Sequence, residues 1–272
     1  MKNPANSLVL VASALVLALS SPAWADEWNK TYPLTGHPDL RVQTTDANIR
    51  VETGDQNQIE AHITTERIAI GPEGVTVIEH QTGNSVEIEV HLPHTNWNIG
   101  FHRGYRVDLA IRMPREGSVD LRTGDGSIMV SGLKGSIETR TGDGRQDIDS
   151  VDGILRATAG DGHIRASGRF DGLEVSTGDG PIELRALSGS AVTSSWRVTA
   201  GDGSITLQLP ESLAADLNLH TGDGRITLDM PVTVEGQLKH NDIRGKLNGG
   251  GNQVTVHTGD GSIHLEKLTA AL

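Results

Sequence analysis

One tetrapeptide constrains the fold of this chain more than any other feature. Thr-Gly-Asp-Gly, or Ala-Gly-Asp-Gly, recurs with its aspartate at Asp125, Asp143, Asp161, Asp179, Asp202, Asp223 and Asp260. The first three intervals are 18 residues each, the next two are 23 and 21, and the last is 37, about two periods. His240-Asn241-Asp242-Ile243 reads as a decayed copy inside that long interval. Self-similarity at a short fixed period marks a repeat architecture. After each turn, apolar residues alternate with polar ones: Ile128 and Val130, Ile164 and Ala166, Ile182 and Leu184, then Ile205, Leu207 and Leu209. That is the pattern of a half-buried strand.

A weaker turn falls about nine residues into each period, at Gly135-Ser136-Ile137, Asp152-Gly153-Ile154-Leu155 and Asp171-Gly172-Leu173. Each period therefore holds two short strands and two turns. Such a unit cannot bury its own apolar face, but units stacked about 4.8 Å apart can. The columns Ile137, Leu155, Leu173 and Thr139, Ala157, Val175 keep a constant offset. Hairpins would reverse every other strand and lose it. The expected fold is all-β: a parallel β-helix (β-solenoid) of ~18-residue coils, which the crossover rule makes right-handed. The turn glycines are expected to supply φ > 0, and the aspartate to bond its own backbone two residues on.

The rest of the chain sets the context. Lys2, the apolar run from Ser7 to Ser20 and the closing Pro22-Ala23-Trp24-Ala25 read as a signal peptide, cleaved before Asp26. The run is shorter than the ~20 residues of a membrane span. No cysteine stands near the cut to carry a lipid, and no later segment is apolar enough to span. The expected division is a cleaved signal peptide (1–25), a less regular N-terminal β region or cap where the solenoid starts (26–117), and the TGDG-repeat solenoid (118–272). Strands are expected over 40–42, 49–51, 59–63, 75–80 and 86–91, with 44–49 and 53–55 as decayed turns. The expected location is outside the cytoplasm, in the periplasm or at the cell surface. With no cysteine anywhere, stability must come from packing and backbone hydrogen bonds. A net charge of −12 argues against nucleic acid and anionic membranes as partners. Aromatic residues at 3% and 33 glycines suit a narrow core with frequent tight turns.

The segment from Val107 to Ile128 (VDLAIRMPREGSVDLRTGDGSI), the stretch from Leu209 to Gly224, and GGGNQVTVHTGDGSI up to Ile263 carry a resemblance. Over about residues 40–266 the chain resembles the DUF4097 "putative adhesin" β-strand repeat family, which is related to autotransporter adhesin head domains. The resemblance implies an extracytoplasmic bacterial β-solenoid with no assigned chemistry and no transferable binding residues.

Two places could carry chemistry. Stacking would align the seven turn aspartates into a ridge, where like charges about 4.8 Å apart repel by ~1 kcal/mol in water. Each could be satisfied by its own turn, or Ca²⁺ could sit between coils. However, the aspartate lies three residues before the apolar position, not two as in calcium-binding repeats, and the half-turns mostly lack it. The second place is the stretch from His94 to Arg106, where Trp97, Phe101, His102, Arg103 and Tyr105 cluster in an expected hairpin loop between strands over 86–92 and 107–113. Loop aromatics beside Arg have the composition of a recognition surface, and equally of a flap over an open solenoid end. The histidines are scattered without ligand spacing, and no Gly-x-Ser-x-Gly elbow is present. The reading is a non-catalytic envelope protein that binds a protein or glycan partner, needs no cofactor, and has an oligomeric state left open. The alternatives are a polysaccharide-active β-helix enzyme, a calcium-stabilised structural repeat and, more remotely, a threonine-array ice binder.

Overall fold

The computed structural model describes residues 25–93, 104–234 and 239–269. The signal-peptide reading therefore lies outside the described residues except at Ala25. The N-terminal part supplies β1 (Ala25–Pro33), β2 (Asp39–Thr44), β3 (Asn48–Gly54), β4 (Gln58–Glu66), β5 (Thr76–Thr82), β6 (Ser85–His91) and β7 (Arg106–Pro114). The repeats supply β8 (Glu116–Arg122), β9 (Ile128–Ser131), β10 (Lys134–Thr141), β11 (Gln146–Ala159), β12 (Ile164–Thr177), β13 (Ile182–Ala186) and β14 (Trp196–Ala200). The last third supplies β15 (Ile205–Leu209), β16 (Ala215–Thr221), β17 (Ile226–Asp229), β18 (Thr233–Val234), β19 (Asp242–Leu247), β20 (Gln253–Thr258) and β21 (Ile263–Lys267). The described residues form an all-β, solenoid-like fold without a helix.

Two parallel ladders carry the architecture, each nine strands long. The first runs β6–β2–β8–β10–β11–β12–β14–β20–β16. The second runs β7–β3–β9–β11–β12–β13–β15–β21–β17. β11 and β12, 14 residues each, pass through both, the N-terminal half in the second ladder and the C-terminal half in the first. From β8 through β12 the register steps by 18 residues, as Glu116, Lys134 and Asp152 show. Each rung of the stack is one strand from each ladder, joined at a corner.

The rungs do not stack in chain order. β2/β3, first in sequence, sits between β6/β7 and β8/β9. β20/β21, last in sequence, sits between β14/β15 and β16/β17. Three sequence expectations are corrected here. The strands at 86–92 and 107–113 are not a hairpin, because β6 and β7 belong to different ladders. Residues 240–243 are not a worn coil: they lead into β19, which runs antiparallel to β16. Residues 53–55 end β3, away from the turn corner, whereas 44–49 does occupy that corner, and Gly124 N–H donates to Thr45 O at 2.5 Å.

The core follows from the period-2 pattern. One interior column runs Leu109, Ile49, Ile128, Gln146, Ile164, Ile182, Ile205, Ile263, Ile226, all buried. Gln146 is its polar member and is fully satisfied. Its Oε1 accepts from the Thr139 hydroxyl at 2.6 Å, and its Nε2 donates to Thr158 O at 2.7 Å and the Thr141 hydroxyl at 3.2 Å. The ends change mode. Beyond β6 and β7 the ladders continue antiparallel, as β5 on one side and β4 then β1 on the other. Beyond β16 come β19 and β18, also antiparallel. At the N-terminal end, Lys30 Nζ donates to Glu79 at 2.7 Å, the Tyr32 hydroxyl also donates to Glu79, and Gln81 Nε2 donates to Pro33 O at 2.9 Å. These bonds draw β1 and β5 together over the open core.

Candidate functional site

The repeated turns line one corner of the stack. From rung to rung the first glycine of each turn donates its N–H to the equivalent carbonyl below: Gly142 to Gly124, Gly160 to Gly142, Gly178 to Gly160, Gly201 to Gly178, Gly259 to Gly201 and Gly222 to Gly259. The second glycine has a different task. A Cβ on Gly144 would lie 1.9 Å from Gly126 O, on Gly162 2.1 Å from Gly144 O, and on Gly203 1.9 Å from Gly180 O. None of these turn glycines has positive φ. The expectation that they serve a left-handed turn is therefore wrong. They are glycine because consecutive turns stack too closely for a side chain. Positive φ occurs instead at the half-turns, at Gly135 and Gly153.

The other turn residues divide inside from outside. Thr123, Thr141, Thr177, Thr221 and Thr258 are buried and tie the corner from within. Thr258, for example, donates to Gly203 O at 2.8 Å, and Thr141 to Gly144 O at 3.0 Å. This inward aim leaves no outward threonine array at the turns. Asp125, Asp143, Asp161, Asp179, Asp202, Asp223 and Asp260 are exposed. Their carboxylates lean along the stack: Asp125, Asp143 and Asp161 each place Oδ1 against the first glycine of the next turn. Asp46, in the preceding rung, accepts the Asp125 N–H at 3.2 Å. The aspartates thus address the neighbouring turn rather than their own. Among the described residues no three His, Cys, Asp or Glu converge as a metal site.

The aromatic stretch joins β6 to β7, the parallel rung at the N-terminal end of the stack. Trp97, Phe101, His102 and Arg103 lie outside the described residues. Tyr105 is half-buried against the core, and the adjoining Gly104 O accepts from Arg67 Nη1 at 3.1 Å.

Sequence reasoning missed a shallow groove of about 320 Å³ on the outer face of the second ladder, lined by Asp149, Arg165, Ser167, Glu183, Arg185 and Gln208. Its charges are largely paired: Arg165 with Glu183 at 2.7 Å, and Asp149 with the Ser167 hydroxyl at 2.5 Å. Arg185 Nη2 donates to Thr269 O at 2.8 Å. The 18-residue period would have predicted this column, since the residues recur at equivalent positions. His220 and His257 stack at 5.3 Å on neighbouring rungs, exposed, as expected for surface histidines brought together by register.

Comparisons with known proteins follow the fold. Residues 116–266 match the Toastrack DUF4097 family model. Among curated proteins none matches the chain significantly. Three solved structures are similar over most of it. A "putative cell adhesion protein" from Clostridium sporogenes is 14% identical, covering 89% of this chain and 99% of its own at TM-score 0.43. A "putative adhesin" from Parabacteroides merdae is 11% identical, covering 90% and 97% at TM-score 0.44. A "putative lipid binding protein" from Parabacteroides distasonis is 13% identical, covering 91% and 98% at TM-score 0.38. At such identities these likenesses carry no inference of function.

Proposed function

The chain belongs to the Toastrack DUF4097 family, and from that premise we propose that it is a non-catalytic, adhesin-like binding module of the bacterial envelope, exported by cleavage of residues 1–25. Its finer architecture on this reading is a right-handed parallel β-helix of ~18-residue coils. The parallel ladders and the 18-residue register support it, and the hand follows from the crossover rule.

The functional reading rests on the composition of residues 94–105 and on the strands they connect, β6 and β7, the parallel rung at the N-terminal end of the stack. Trp97, Phe101, His102, Arg103 and Tyr105 are the residues we assign to binding. Aromatic and arginine side chains supply most of the energy at recognition surfaces, and loops held by a rigid scaffold are where binding residues concentrate. The partner is an envelope protein or glycan. The mature protein should be retained on envelope fractions or surface glycans, and a Trp97→Ala/Tyr105→Ala variant should not. Equal retention of both removes the loop as the site.

The polysaccharide-active alternative finds its one support in the groove at Asp149 and Glu183. Glu183 is held by Arg165 at 2.7 Å and Asp149 accepts from the Ser167 hydroxyl at 2.5 Å, so we rank this reading second. Release of reducing ends from a polysaccharide panel, lost in Glu183→Gln, would reverse this preference.

A further inference from the structure

The place of the last rung has a consequence for how copies of this chain meet. β16/β17 precede β20/β21 in sequence but lie outside them in space. β16 ends in His220-Thr221 and β20 in His257-Thr258, and both run directly into Gly-Asp-Gly. Either rung could therefore follow β14/β15 in the stack. In the observed order, β20/β21 pairs on both sides and buries Val254, Val256, Ile263 and Leu265 completely. Before it arrives, the slot between β14/β15 and β16/β17 must be open, or closed with β16/β17 one rung inward.

The link that delivers the rung is short and tightly turned, with Asn248 Nδ2 donating to Glu211 O at 2.6 Å and Leu213 O at 2.8 Å. β19 and β20 flank β16, so residues 248–252 must cross one strand, a separation of roughly 10 Å. Asn248, Gly249 and Gly250 take φ of 46°, 88° and 90°, and Gly249 has nothing within 4 Å of the position a Cβ would take. Asn252 Nδ2 fixes the far side by donating to Val192 O at 2.8 Å.

We propose that the C-terminal rung, residues 252–269, is exchangeable between copies, so that the slot in one chain accepts the rung of a second copy in a domain-swapped dimer. The swapped rung meets the same partner strands it meets within its own chain, so exchange requires no new surface. A short link favours exchange because it strains the closed form. Deleting Gly249–Gly251 leaves three Cα steps, at most about 11 Å, to round the start of β16, and should drive the chain toward the dimer.

Because the protein has no cysteine, cross-linking can read this out. Ser204 and Ser262 stand side by side immediately before β15 and β21, Ser262 N lying 3.4 Å from Ser204 Oγ. Full-length Ser204→Cys and Ser262→Cys chains, distinguished by size tags and refolded together, can join 204 to 262 only between copies. The proposal expects mixed disulfide dimers whose fraction rises with chain concentration and rises further with the Gly249–Gly251 deletion in both chains. Absence of mixed dimers from the undeleted chains overturns it. So does cross-linking that is as frequent in either variant refolded alone.

Discussion

At the scale of single residues, the corner is governed by how little room lies between stacked turns. Gly162→Ala places a methyl 2.1 Å from Gly144 O and should destabilise by about 3 kcal/mol or more. Gly172→Ala is the control. Its Cβ would meet Ile154 only at 3.4 Å, so the change should stay within about 1 kcal/mol. Chemical denaturation of the two variants measures both. The sequence made the glycines conspicuous but not their reason, since a turn needing φ > 0 and a turn needing close approach both select glycine. Gln146 poses a similar case inside the core. Gln146→Ile fits the isoleucine column but strips the fully buried Thr139 hydroxyl of its partner, costing about 1–3 kcal/mol. Adding Thr139→Val should recover most of that loss, because removing both polar partners is nearly neutral. A double-mutant cycle in denaturant decides it.

At the scale of elements, strands and columns were legible because a period-2 pattern repeated at a fixed offset fixes both the buried face and the neighbour's register. What could not be read is which rung lies next to which. Seven of the nine rungs carry the same corner motif, so the motif alone does not say which of the other six lies beside β20/β21. The antiparallel β19 was misread for a related reason: His240-Asn241-Asp242-Ile243 resembles a turn locally, and only pairing with β16 shows its direction. The N-terminal cap formed by β1 and β5 depends on a charge. Burial raises the Glu79 pKa, but hydrogen bonds from Lys30 and Tyr32 outweigh it and hold the carboxyl below its ordinary 4.5. Burial and the bond to Glu79 push the Tyr32 hydroxyl well up. A carboxyl depressed on folding stabilises above its unfolded pKa, and that contribution is lost as pH falls through the folded value. Hydrogen-exchange protection factors should therefore fall in β1 and β5 on acidification below 4.5, while β10 to β13 stay protected. Glu79→Gln should loosen the same two strands already at neutral pH. Uniform loosening along the whole stack would contradict the cap assignment.

At the scale of the whole molecule, the parts divide their labour. The stack is roughly 40 Å long, nine rungs at about 4.8 Å each. Threonines and glycines hold its corner from inside, and antiparallel strands close its ends. The candidate site was half legible. The residues at 97–105 stood out by composition, but that the strands they join, β6 and β7, form an end rung is a matter of rung order. The turn ridge, the loudest signal in the sequence, is on this account a stacking device. Its exposed aspartates can be neutralised without loss of binding, and stability should even rise slightly as repulsion falls. The most direct measurement is binding of three full-length proteins to one envelope preparation: the unaltered chain, Asp143→Asn/Asp161→Asn/Asp179→Asn, and Trp97→Ala/Tyr105→Ala. The account predicts that the aspartate variant binds like the unaltered chain and the aromatic variant is lost from the bound fraction. Loss of binding in the aspartate variant, with the aromatic variant retained, would contradict it.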